Sequence, residues 1–176
     1  MSRSRLKCCG LLVSVAIVLA VGCRRGREAD GNHGVQLSTT LTMESYTRDR
    51  LAELNGPFKQ FYFPTLEIYN SDGVLSYKSH NSYHNVQALQ ELVTGTWVAI
   101  PQEGAARLAR VVADIPDFRA TGSAVSSRHS ATVLSVSLAG CGGCEMQDVV
   151  LDELRSRLAA RSVAILTVHV LERPAN

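Results

Sequence analysis

Two apolar-leaning stretches stand near the end of this chain, Thr132-Val133-Leu134-Ser135-Val136-Ser137-Leu138-Ala139 and Val163 to Leu171. Between them Met146, Val150, Leu154 and Leu158 recur every four residues, with Leu151 beside them. A repeat of four gathers side chains on one face of a helix, expected from about Cys144 to Ala160. Its acids come early (Glu145, Asp148, Asp152, Glu153) and its bases late (Arg155, Arg157, Arg161), which complements the helix dipole. Strand, helix and strand at this spacing predict a βαβ unit with parallel strands over 132–171.

Upstream the pattern changes. Met43 to Leu54 reads as a short helix closed by Asn55-Gly56-Pro57. An aromatic-rich stretch from Phe58 is broken by Pro64, and Thr65 to Tyr69 alternates as a strand. Asn70-Ser71-Asp72-Gly73 is turn chemistry, and Val74 to Tyr77 supplies the returning strand. Asn85 is a candidate N-cap for a helix carrying Val86, Leu89, Leu92 and Val93, closed by Gly95. Thr96 to Ile100 reads as a short strand or buried connector, and Gln102 to Ala113 as a helix. Residues 120–131, rich in Ser, Gly and Ala, read as a loop.

The N-terminal end is of another kind. Arg3, Arg5 and Lys7 precede a mostly apolar run from Leu11 to Val21, short for a membrane span. The run closes in Ala20-Val21-Gly22-Cys23, which resembles a bacterial lipoprotein cleavage box. That resemblance implies a signal peptide over 1–22 and a mature N-terminus at Cys23 carrying lipid, palmitate among its acyl chains. Residues 23–40 are then a lipidated tether, poor in apolar residues. The folded domain occupies 41–176: a ββα half over 41–95, a connector over 96–131 and a βαβ half over 132–171. Arg24, rather than Asp, follows the lipid site, which favours the outer membrane over the inner, on the periplasmic side of a bacterial envelope.

Charge narrows the partners. Three of the 18 basic residues lie in the first 22 positions, where there is no acid, so the remainder is close to neutral. No extended basic surface for nucleic acid emerges. Removal of the signal takes Cys8 and Cys9, and lipid takes Cys23. Cys141 and Cys144 are left as the thiols. One close pair is no disulfide framework, and a bridge across so short a loop stabilises little.

Cys141-Gly142-Gly143-Cys144 lies where the strand hands over to the helix. Unpaired N–H groups at a helix start favour a thiolate and lower its pKa below the free value of about 8.5. This placement points to thiol–disulfide exchange, with Cys141 attacking and Cys144 resolving the mixed disulfide.

Residues 132–171 resemble the first half of the thioredoxin-like family: strand, CxxC, helix, parallel strand. Phe63-Pro64-Thr65 with the following strand, turn, strand and helix resembles the closing half, with Pro64-Thr65 at the family's cis-proline position. The resemblance implies an α/β, three-layer fold, a central mixed sheet flanked by helices, with its halves in permuted order. It implies catalytic Cys141 and Cys144, substrate positioning by Pro64 and Thr65, and a cis Phe63–Pro64 bond close to the cysteines. Departures are visible. Gly140 stands where the family usually has Trp, Ser135 where thioredoxins carry a buried acid, and Val149 where a helix-kinking proline is usual. Gly-Gly separates the cysteines, without the Pro or His of many relatives.

The expected partners are thiols or disulfides of exported proteins, a membrane thiol reductase, and the membrane itself through the lipid. No cofactor is expected beyond the redox-active Cys141–Cys144 disulfide, and no metal ligands are assigned. Two alternatives remain open: a non-enzymatic envelope lipoprotein or binding module on the same fold, and a metallochaperone using the cysteines and a histidine. His80 and His84 would align only on a helix, and Asn81 to Tyr83 reads as loop. His129 precedes the strand that leads to the cysteines.

Overall fold

The computed structural model describes residues 34–50, 61–100, 107–113, 115, 117–119, 125 and 128–172. The signal peptide, Cys23, the stop at Asn55 to Pro57, residues 102–106 of the expected helix and most of the loop over 120–131 lie outside them. In chain order the elements are β1 (Gln36–Thr42), α1 (Met43–Arg50), β2 (Thr65–Asn70), β3 (Leu75–Ser79), α2 (Ser82–Thr94), α3 (Leu108–Val112), β4 (Ala131–Leu138), α4 (Gly142–Ala160) and β5 (Val163–Leu171). The class is α/β, with one five-stranded mixed sheet ordered β1-β5-β4-β2-β3.

β1, β5 and β4 run parallel, whereas β2 is antiparallel to both β4 and β3. The central strands β4 and β5 are buried along nearly their whole length. That explains why they read as apolar runs: a strand covered on both faces has few positions for polar side chains. Alternate residues feed two cores. Val133, Val163 and Ile165 meet Leu89, Leu92, Leu151, Leu154 and Leu158 from α2 and α4. Leu134, Val136, Leu166, Val168 and Val170 meet Tyr46 of α1 and Leu108, Val111 and Val112 of α3. The sheet is thus the middle of three layers.

Several expectations are corrected. Gln36–Thr40, assigned to the tether, belongs to β1, which pairs with Ile165 to Leu171. Its Ser- and Thr-rich sequence alternates exposed and covered positions, as an edge strand does. α2 begins at Ser82, not after Asn85, because Asn81 is the N-cap: its Oδ1 accepts from Tyr83 N and His84 N at 3.0 and 3.2 Å. Met146 does not join the core face of α4; it is exposed, and Gln147 takes the buried position. The first turn of α4 reaches past the apolar stripe that Leu151, Leu154 and Leu158 lay on the sheet.

Thr96 to Ile100 forms no strand, and Val98 and Ile100 are exposed. The far ends of α2 and α4 are tied by Arg161, whose Nε donates to Val93 O at 3.0 Å and Nη2 to Thr94 O at 3.2 Å. Those carbonyls are among the unpaired acceptors at the α2 C-terminus, where a cation is favourable. Among the described residues no helix is long and apolar enough to cross a membrane.

Candidate functional site

Cys141 and Cys144 are joined by a disulfide at the start of α4. β4 ends at Leu138, and Gly140 turns the chain with φ at 78°, a conformation that costs glycine little. Cys141 then stands as the N-cap of α4, and its Sγ accepts the N–H of Cys144 at 3.2 Å. Sulfur fills the place that a Ser or Asp oxygen fills in most caps. The two sulfurs differ in access: Cys141 is partly exposed, whereas Cys144 is 1% exposed and its Sγ accepts from Leu138 N at 3.4 Å.

Pro64 stands against this turn. The Phe63–Pro64 peptide bond is cis. A Cβ placed on Gly143 would come 3.3 Å from Pro64 Cδ and 3.6 Å from Ser82 Oγ, while one on Gly142 would meet open space. The chain at Gly143 is therefore in close approach to both β2's leading loop and the start of α2. Thr65 is buried; its Oγ1 donates to Tyr62 O at 2.6 Å and lies 2.9 Å from His80 Nδ1. With its one hydroxyl proton on Tyr62, the Thr65 oxygen accepts from His80, so Nδ1 carries the ring proton. Burial is the main cause that lowers the His80 pKa; Lys78 adds to it, and Glu67 and the Tyr62 backbone oppose it.

Behind the sulfurs lies a polar chain that the sequence reading did not single out. Gln147, fully buried on α4, donates from Nε2 to Ser135 Oγ at 2.8 Å and to Thr65 O at 3.4 Å. Its Oε1 accepts from Asn85 Nδ2 at 2.6 Å, and Asn85 Oδ1 accepts from Tyr77 OH at 3.1 Å. Burial keeps the Tyr77 pKa raised, helped by Glu91 and opposed by Ser79, so the phenol stays a donor. Ser135 is thus a partner of Gln147 rather than an acid beside the cysteines. A polar residue at a core position of a helix, three after Cys144, was the available signal. Glu67 is a second buried polar group, 1% exposed, held by Lys78 Nζ at 2.8 Å and Tyr69 OH at 2.5 Å.

The histidines separate. His129 is buried at the opposite end of β4, where Nδ1 donates to Val125 O at 2.7 Å and Nε2 accepts from Val35 N at 3.3 Å. Both ring nitrogens are satisfied structurally, and β4 stands between them and the cysteines. His84 lies within α2 and His80 before it. His169, on β5, pairs in register with Ser137, and its Nδ1 is 2.9 Å from Ser137 Oγ. Among the described residues no three His, Cys, Asp or Glu side chains gather as a metal-ligand group.

Compared with family models, curated proteins and solved structures, the chain matches none of them. Its functional reading therefore rests on the residues themselves.

Proposed function

We propose that the chain is a lipid-anchored thiol–disulfide exchange protein of a bacterial envelope, with a thioredoxin-like sheet whose halves occur in permuted order. Support for the permuted fold is topological. The CxxC-bearing unit β4-α4-β5 comes last in the chain, yet β2, which follows Pro64, pairs antiparallel with β4. Pro64 is thereby carried to Gly143 from far upstream. The connector over 96–131 supplies α3, which covers the sheet face opposite α4.

The observation that carries the exchange reading is the unequal pair of sulfurs at the head of α4. Cys141 has access to a partner and an N–H aimed at its sulfur, so it is the attacking thiolate. Cys144 sits behind it, within bonding reach, and resolves the mixed disulfide. Pro64 packs against Gly143 between the cysteines, and Thr65 beside it is tied to α4 through Gln147, so the pair would position the cysteine turn from beneath. Lipid on Cys23 would hold the domain at the membrane, among exported proteins and membrane reductases.

Equilibration with dithiol–disulfide buffers tests this. The pair is expected to cycle reversibly, and a Cys144→Ser variant is expected to accumulate partner proteins as mixed disulfides at Cys141, identified by mass. A pair that resists exchange, with no trapped species, points instead to a non-enzymatic binding module.

A further inference from the structure

A cavity of about 300 Å³ opens on the side of Cys144 away from Pro64's loop, between the first turns of α4 and the ends of β4 and β5. Cys144, Asp148, Ser137 and His169 all line it. Cys144 and Asp148 are one helical turn apart and share a face of α4. Ser137 and His169 face them from paired positions on the sheet. Asp148 Oδ1 is buried with no hydrogen-bond partner, and Asp148 Oδ2 lies 3.8 Å from His169 Nδ1. Burial of this oxygen disfavours the charged carboxylate, so Asp148 takes up a proton more readily than an exposed acid does. Cys144, 1% exposed, has little direct contact with solvent through which to lose its own proton. The cavity exceeds the volume that one water needs, roughly 15 Å³, so a proton can cross it on water.

We propose that Asp148 is the proton acceptor for the Cys144 thiol, with His169 and Ser137 as positioning residues that hold its carboxylate. This rests on the exchange reading above. In the resolving step the Cys144 S–H proton passes to the Asp148 carboxylate. The sulfur's electron pair forms the bond to Cys141 Sγ as the bond from Cys141 to the partner sulfur breaks. The partner leaves as a thiolate and takes a proton from solvent, so two thiol electrons have reduced the partner and the Cys141–Cys144 disulfide remains. In the opposite direction the protonated Asp148 returns its proton to the departing Cys144 thiolate. Burial raises the Asp148 pKa, with a smaller contribution from Asp152, while Ser137 and His169 oppose the shift. The charged or titratable groups around it are Glu145 and Asp152 on α4 and His169 on β5; β4 contributes the neutral Ser137.

The test uses the full chain in detergent with Cys8, Cys9 and Cys23 replaced by alanine, reduced, and mixed with one equivalent of an aromatic disulfide. The first thiolate released reports attack by Cys141 and the second reports resolution by Cys144. Asp148→Asn is expected to leave the first phase within twofold and to slow the second about a hundredfold at pH 7, the low end of what a positioned proton acceptor contributes. The deficit is expected to shrink as pH rises and Cys144 ionises unaided. Asp148→Glu, which keeps a carboxylate, is expected to recover most of the second phase, and His169→Gln to shift its pH midpoint. A second phase in Asp148→Asn within twofold of the parent at every pH, or a deficit independent of pH, overturns the proposal while leaving the exchange reading intact. A parent chain that releases only one thiolate overturns both.

Discussion

Asn85 on α2 and Gln147 on α4 meet side chain to side chain at 2.6 Å, across 62 residues of sequence. Their contact joins the two helices that cover one sheet face, directly behind the cysteine turn. Gln147 also reaches Thr65 O, so one amide links the helix bearing Cys144, the strand after Pro64 and the helix after β3. Removing one member leaves a buried amide unsatisfied, at a cost of about 1–3 kcal/mol. Gln147→Leu and Asn85→Leu are each expected to lower unfolding stability by that order. The double variant is expected to lose less than the two losses combined, because neither amide is left facing the other. Urea unfolding of the four proteins measures the coupling.

Cys141 is expected to react with a small alkylating agent well before Cys144 in the reduced protein at neutral pH, at least tenfold faster. Exposure and the helix start both favour it. Timed alkylation followed by peptide mass analysis gives the two rates. Equal rates would remove the division of labour between attacking and resolving sulfur.

The two glycines between the cysteines are expected to respond differently. Gly142→Ala adds a methyl group to open space and is expected to leave dithiol turnover within twofold. Gly143→Ala presses on Pro64 at 3.3 Å and is expected to slow turnover several-fold by displacing that loop. Turnover of the two variants, side by side with the parent, decides it; indistinguishable variants would mean that the Pro64 approach has no functional weight.

His80 gives the site a pH dependence of known sign. Its folded pKa is lowered below 6.5, chiefly by burial, so the unfolded chain binds more protons as pH falls below that value. Its contribution to stability is therefore complete above about pH 6.5 and declines as pH falls towards the lowered folded value. His80→Gln is expected to flatten the slope of unfolding free energy between pH 6.5 and 5, read from urea titrations at each pH.

Anchoring is expected to depend on Cys23 alone. Cys23→Ala should move the chain from the membrane fraction to the soluble or unprocessed fraction in a bacterial host. Retention of a lipidated species in that variant would sink the cleavage-box reading.

The C-terminal βαβ unit was legible because β4 and β5 are covered on both faces and α4 carries a regular apolar stripe. β5 occupies the expected span, and β4 is displaced by one residue. β1 was not legible, since an edge strand half in solvent keeps Ser and Thr and resembles a linker in composition. The start of α2 was misplaced because Asn81 and Asn85 are both chemically able to cap. Geometry alone decides that Asn81 does so while Asn85 turns inward to Gln147. The Asp148–His169 pairing was hidden for a similar reason. It joins a helix to a strand 21 positions later, and its acid reads as one member of the acidic first half of α4. What periodicity reports is coverage by the core; which polar group meets which across elements depends on register.

Because β1, β5 and β4 run the same way, the chain enters the sheet at Gln36, level with Val133, at the end remote from Cys141. Several residues of strand, roughly 20 Å, separate that entry from the sulfurs. The domain therefore has a handle side and a working side. A resin, a fusion partner or a supporting surface joined ahead of Gln36 takes hold at the handle and leaves the sulfurs pointing outward. An immobilised preparation should keep its access to bulky disulfide partners without any engineered spacer.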